Sequence, residues 1–163
     1  MRISAALVPM LVGLLALGGC GAPAAPEVPP PLDQALADGT ALRDAVADAL
    51  ATSAGATWQV TGSPAVQTQP DGRCVLFLPD AATDADLFAA TDGLRQAPSV
   101  LKDILAGHGY GEASGPAESN GSVIVTAAGP AGWKLEILAT GKGGRLKLSG
   151  SVAADPCDDT ALR

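Results

Sequence analysis

"WKLEILATGKGGRLKLSGSV" runs from Trp133 to Val152, and its reading decides the fold. Trp133, Leu135 and Ile137 alternate with Lys134 and Glu136. Beyond "GKGG", Leu146 and Leu148 alternate with Arg145, Lys147 and Ser149. A period of two sends successive side chains to opposite faces, so each run buries one face and wets the other. The glycines between the runs supply a turn. "SVIVTAA" (Ser122–Ala128) precedes them across "GPAG". Together the three runs predict an antiparallel meander with one wet face.

Upstream the period changes. "PLDQALADGTALRDAVADALATSAG" (Pro31–Gly55) places Leu36, Leu42, Val46 and Leu50 on one stripe, with Asp38, Arg43, Asp44 and Asp48 mainly on other faces. That is an amphipathic helix, with Asp33 as candidate cap, Gly39 as a weak point and Gly55 as the stop. "TWQVTGSP" (Thr57–Pro64) and "GRCVLFLP" (Gly72–Pro79) read as two antiparallel strands around the turn "QPDG". Within the second, Val75 and Phe77 share one face and Cys74, Leu76 and Leu78 the other. A helix follows from Pro98 to Gly107 with Leu101, Ile104 and Leu105 as its stripe, after a short helical turn within Ala85–Thr91.

The order α-β-β-α-β-β-β predicts an α+β two-layer domain, an antiparallel sheet of about five strands with helices on one face. The expected core comprises Leu36, Leu42, Val46, Leu50, Trp58, Val75, Phe77, Leu101, Ile104, Leu105, Val123, Val125, Trp133, Leu135, Ile137, Leu146 and Leu148. A chain of 163 residues has the length of one domain, and 3% aromatic residues allow it one modest core. The formal net charge is −7, with no cluster of Lys and Arg interleaved with aromatics, which excludes a nucleic-acid partner. The acidity also implies weak repulsion from anionic headgroups.

"MRISAALVPMLVGLLALGGC" opens the chain. Arg2 is followed by an apolar run from Ala5 to Leu17, which contains Pro9, and then by two small residues before Cys20. A membrane-spanning helix needs about 20 apolar residues, so this run reads as a secretory signal. Leu17-Gly18-Gly19-Cys20 resembles the bacterial lipobox. The resemblance implies that the Cys20 thiol receives a diacylglyceryl group and that residues 1–19 are cut away as a signal peptide. Acyl chains such as palmitate on Cys20 would then anchor the protein on the extracytoplasmic face of the cell membrane. "GAPAAPEVPPP" (Gly21–Pro31) holds five prolines, so residues 20–31 read as a lipidated cysteine and an extended tether. Residues 32–163 form the single domain.

With Cys20 assigned to lipid, Cys74 and Cys157 remain, and an exported chain with two further thiols predicts a disulfide between them. It would pin the tail "ADPCDDTALR" to the sheet.

No constellation for catalysis emerges. His108 is the single histidine, in a glycine-flanked turn after a helix, and a triad or general base would have to use it. "GHGYGEASG" follows a helix instead of a strand, "GKGGR" lacks the other parts of a phosphate loop, and "DAATDAD" lacks the glycine and final Glu of a calcium loop. Asn120-Gly121 reads as a turn. No metal, cofactor or enzymatic activity is expected. A cleft lined by several acids with Tyr110 would point the other way.

"LGGC", the Ala/Asp-rich opening helix, "TWQVTG", "GRCVLFLP" and the closing "ADPC" together make the chain resemble small actinobacterial lipoproteins of the LppA-like kind. The resemblance carries no catalytic residues. The expected function is a monomeric, non-enzymatic binding domain at the cell envelope with a protein or lipid partner. The alternative is a carrier holding a lipid or small apolar ligand between helices and sheet, although few aromatics and a small domain leave little room for a cavity of several hundred Å3.

Overall fold

In the computed structural model, which describes residues 27–163, the chain enters α1 (Leu32–Ala54) directly after Pro31. Pro31 occupies the N-cap position and no side chain caps the helix; Asp33 sits instead in the first turn, favourable to the helix dipole. The helix runs unbroken through Gly39. Four strands follow: β1 (Gln59–Thr61), β2 (Ala65–Thr68), β3 (Cys74–Phe77) and β4 (Asp80–Thr83). Two helices come next, α2 (Leu87–Ala90) and α3 (Ala97–Gly107). The sheet is completed by β5 (Ala117–Ser119), β6 (Ser122–Ala128), β7 (Lys134–Thr140) and β8 (Gly143–Ser151). Among the described residues no helix is long and apolar enough to cross a membrane.

The predicted α+β class is the observed one, with an antiparallel sheet of eight strands where about five were expected. Prolines make most of the difference. Phe77 pairs with Ser149 and Ala81 with Leu146, so four steps along β3 and β4 match three along β8. One expected strand is thus extended to Thr83 and broken at Leu78–Pro79, where proline has no N–H for the ladder. Thr61 pairs with Asp80 and Ala65 with Phe77, the same slip between β1 and β2, at Gly62–Pro64. β8 therefore carries β7 along one side and both halves of the broken strand along the other. The remaining addition is β5, joined to β6 by Asn120-Gly121, both at positive φ (48° and 73°).

The two faces of β3 are reversed from the expectation. Leu76 and Leu78 are buried, whereas Phe77 is 37% exposed and Val75 only partly covered. Leu36, Trp58 and Ile104 pack at the margin of the core, not inside it. Arg43, assigned to the polar face of α1, is 6% exposed. Its guanidinium binds Asp44 at 2.7 Å and donates to the Pro79 carbonyl at 3.4 Å, a carbonyl at the strand break. The layer between helices and sheet is filled by Leu42, Leu50, Leu76, Leu87, Leu101, Leu105, Ile137 and Leu146, all less than 2% exposed.

Trp133 closes one end of this layer. A Cβ on Gly150 would lie 2.1 Å from the indole Cγ, and one on Gly39 would lie 3.1 Å from its Cζ3 and Cη2. Only glycine permits so close an approach from sheet and helix alike. The indole N–H donates to the Ser151 carbonyl at 3.2 Å. Gly39 is thus a packing position in an intact helix, not a break in it.

Both ends of the described chain are fastened near the end of β8. Ala153 N–H donates to the Pro30 carbonyl at 2.8 Å, beside a parallel bridge between Pro31 and Ala153. Cys74 and Cys157 form a disulfide across 83 positions. The tail beyond it lies along β2, where the Asp159 carboxylate accepts from Val66 N–H at 2.7 Å.

Gly150→Ala is expected to lower stability by about 1–3 kcal/mol, because the core cannot absorb the added methyl. A lower urea midpoint would register this, and adding Trp133→Leu should restore part of it. Cys157→Ser is expected to cost up to about 4–5 kcal/mol by loop entropy, measured as the difference in unfolding free energy from the oxidised wild type.

Candidate functional site

A groove of about 410 Å3 opens beside Trp133. Four pieces of chain build it. The first turns of α1 contribute Ala35, Asp38 and Leu42 to one wall, and the segment after α3 contributes His108 and Tyr110. A 3-10 turn at Pro130–Gly132 and the strap Glu27–Pro30 complete it, with Trp133 among the lining residues.

The strap is held by more than the bridge at Ala153. The Glu27 carboxylate accepts a hydrogen bond from Ala131 N–H. Ala131 sits at φ 50° and Gly132 at φ 77°, two successive left-handed residues. This end of the proline-rich stretch, read from sequence as free tether, is therefore part of the wall of the groove.

Tyr110 is placed by the end of α3. Its N–H donates to the Leu105 carbonyl at 2.8 Å, while His108 forms the C-cap. The phenol ring lies over Gly129, where a Cβ would come within 2.5 Å of Cζ. Burial pushes the Tyr110 phenol well above its ordinary range. At neutral pH it stays protonated and acts as a hydrogen-bonding group, not a base.

The groove's polar groups are the Glu27 and Asp38 carboxylates, Gln34, His108 and the Tyr110 hydroxyl. Among the described residues, neither Lys nor Arg lines it. Asp38 accepts a long 3.4 Å hydrogen bond from Gln34. The apolar lining and the acidic rim suit recognition. The space between helices and sheet is filled by leucines, and the groove is instead made by the strap and the 3-10 turn, a region that counting aromatics does not address.

Leu17, Gly18, Gly19 and Cys20 lie outside the described residues. Cys74 and Cys157 are joined, away from the groove's lining. His108, read as a turn residue, borders the groove. "DAATDAD" supplies β4 and the α2 cap, where Asp86 accepts from Ala89 N–H at 2.9 Å. Sequence reasoning assigned Glu27 to the tether, Asp38 to a solvated face and Trp133 to the core alone. The clustering of Pro, Gly and Trp at "GPAGW" was the available signal that a tight turn delivers an aromatic there.

No family model matches the chain, and no curated protein matches it. Among solved structures it is similar to a DUF4853 family protein from Actinomyces odontolyticus, with 12% identity and a TM-score of 0.49. That similarity covers 84% of this chain and 79% of the other.

Tyr110 is the chain's single tyrosine. Its unfolded phenol ionises near 10.0 and its folded phenol higher, so its contribution to stability is full below pH 10 and declines as pH rises further. Tyr110→Phe should flatten this decline. Absorbance at about 295 nm, the phenolate band, should show folded protein titrating later than protein unfolded in urea.

Proposed function

We propose that this protein is a bacterial lipoprotein, anchored through Cys20 to the extracytoplasmic face of the cell membrane, whose folded part is a non-enzymatic binding domain. The observation that carries the binding reading is the groove of about 410 Å3 at the root of the tether, walled by Glu27–Pro30 and lined by Tyr110 and Trp133. Its volume falls in the range of small-molecule sites. The signal layout with "LGGC" supports the anchor. The disulfide supports an oxidising compartment. Kinship with LppA-like lipoproteins belongs to the same proposal and rests on the motifs already quoted.

Acids with Tyr110 are the arrangement that would favour an enzyme. Here the carboxylates stand on exposed positions of the rim, and the phenol is held protonated. Exposed carboxylates and a buried protonated phenol support the binding reading over the enzymatic one. The carrier of a lipid or small apolar ligand is the second reading, favoured by the apolar lining of Ala35, Leu42 and Trp133. Its ligand would lie in the groove, because the space between helices and sheet is occupied by leucines.

Cys20→Ser tests the anchor. The wild type should sediment with membranes and incorporate an alkyne-tagged fatty acid. The variant should lose the label and either leave the membrane fraction or accumulate uncut. A variant of mature size that stays on the membrane would overturn the lipoprotein reading. Mass spectrometry of molecules that copurify decides between the two binding readings: apolar ligand in stoichiometric amount would favour the carrier.

A further inference from the structure

We infer that the groove is a site for a small amphiphilic amine, a protonated ammonium group on a short apolar body; this rests on reading the domain as a binding module. The two ends of such a ligand match two parts of the site. Ala35, Leu42 and the Trp133 indole supply apolar lining. Glu27 on the strap and Asp38 on α1 bring carboxylates from separate walls. An ammonium carries three N–H donors; the Asp38 carboxylate, and the Glu27 carboxylate that also accepts from Ala131 N–H, are acceptors for them.

Charge selects against the alternatives. With no Lys or Arg among the described lining residues, an anionic head would meet two carboxylates with His108 as the sole basic side chain beside them. A neutral alcohol would use the apolar lining and donate one hydrogen bond to a carboxylate, without the attraction between opposite charges. The chain's net charge of −7 adds a long-range field of the same sign. The Trp133 ring packs against Gly39 and Gly150, so the selectivity rests on the carboxylates and not on stacking of a cation over the indole. Asp38 is available for this role, since among the described residues its side chain is met by Gln34 alone, at a long 3.4 Å.

The test uses residues 20–163 with Cys20→Ser, which retain every core residue, the disulfide and the strap. Binding of hexylammonium, hexanol and hexanoate is followed by NMR at the Trp133 indole N–H and the Tyr110 ring. Hexylammonium should shift both and bind about tenfold more tightly than either counterpart at pH 7 and low salt. Asp38→Asn and Glu27→Gln should each weaken it a few-fold, and together abolish the preference for hexylammonium over hexanol. Asp38→Asn is at an exposed helix position and keeps the fold even if the Glu27 change loosens the strap. Equal binding of the three probes, an undiminished preference in the double variant, or no shift at Trp133 and Tyr110 would each overturn the assignment. Because the readout is made away from membranes, it is independent of the outcome of the Cys20 fractionation.

Discussion

The indole of Trp133 sets how closely α1 approaches the sheet. It fills the gap between Gly39 on the helix and Gly150 on β8, and its N–H is satisfied by the Ser151 carbonyl. A side chain at either glycine would push helix and sheet apart or displace the ring. The same indole lines the groove. One residue thus both packs the core and lines the groove, and the groove inherits the rigidity of the core at that point. The strap then closes on this fixed element through Glu27 and Ala131.

β8 has a comparable role within the sheet. Its first half carries β4 and its second half β3, while β7 pairs with Gly143 to Ser149 along the opposite side. A strand so placed is buried by pairing on both sides and by helices on one face. The break at Leu78–Pro79 lets the neighbouring strand bend around it, and Arg43 meets a carbonyl there. A buried arginine in a domain with few aromatics is thereby given a structural partner.

Alternation made the β6–β7–β8 meander legible, because Lys134, Glu136, Arg145 and Lys147 mark the wet face unambiguously. "CVLFLP" offered no such mark. Five consecutive apolar side chains leave the inward face undetermined by periodicity, and packing under α1 selected Leu76 and Leu78 over Val75 and Phe77. Gly39 looked like a helix defect since propensity knows nothing of the tryptophan opposite it. The groove was least legible of all. Glu27, Asp38, Tyr110 and Trp133 come from four separate stretches of chain, and only the tertiary fold brings them together. Asn120-Gly121 could have revealed β5, as that dipeptide favours tight hairpins.

The interruptions by proline also govern how the sheet meets other chains. Along one border, β1 and β2 are separated by Gly62–Pro64, and the tail after the disulfide takes up the Val66 N–H. Along the other, β5 is three residues long and comes directly after Gly115-Pro116. Each border therefore offers an incoming strand only a short, uneven run of backbone donors and acceptors. Such borders resist strand-by-strand growth between molecules, which lets many copies stand side by side at high local density without fusing into a common sheet.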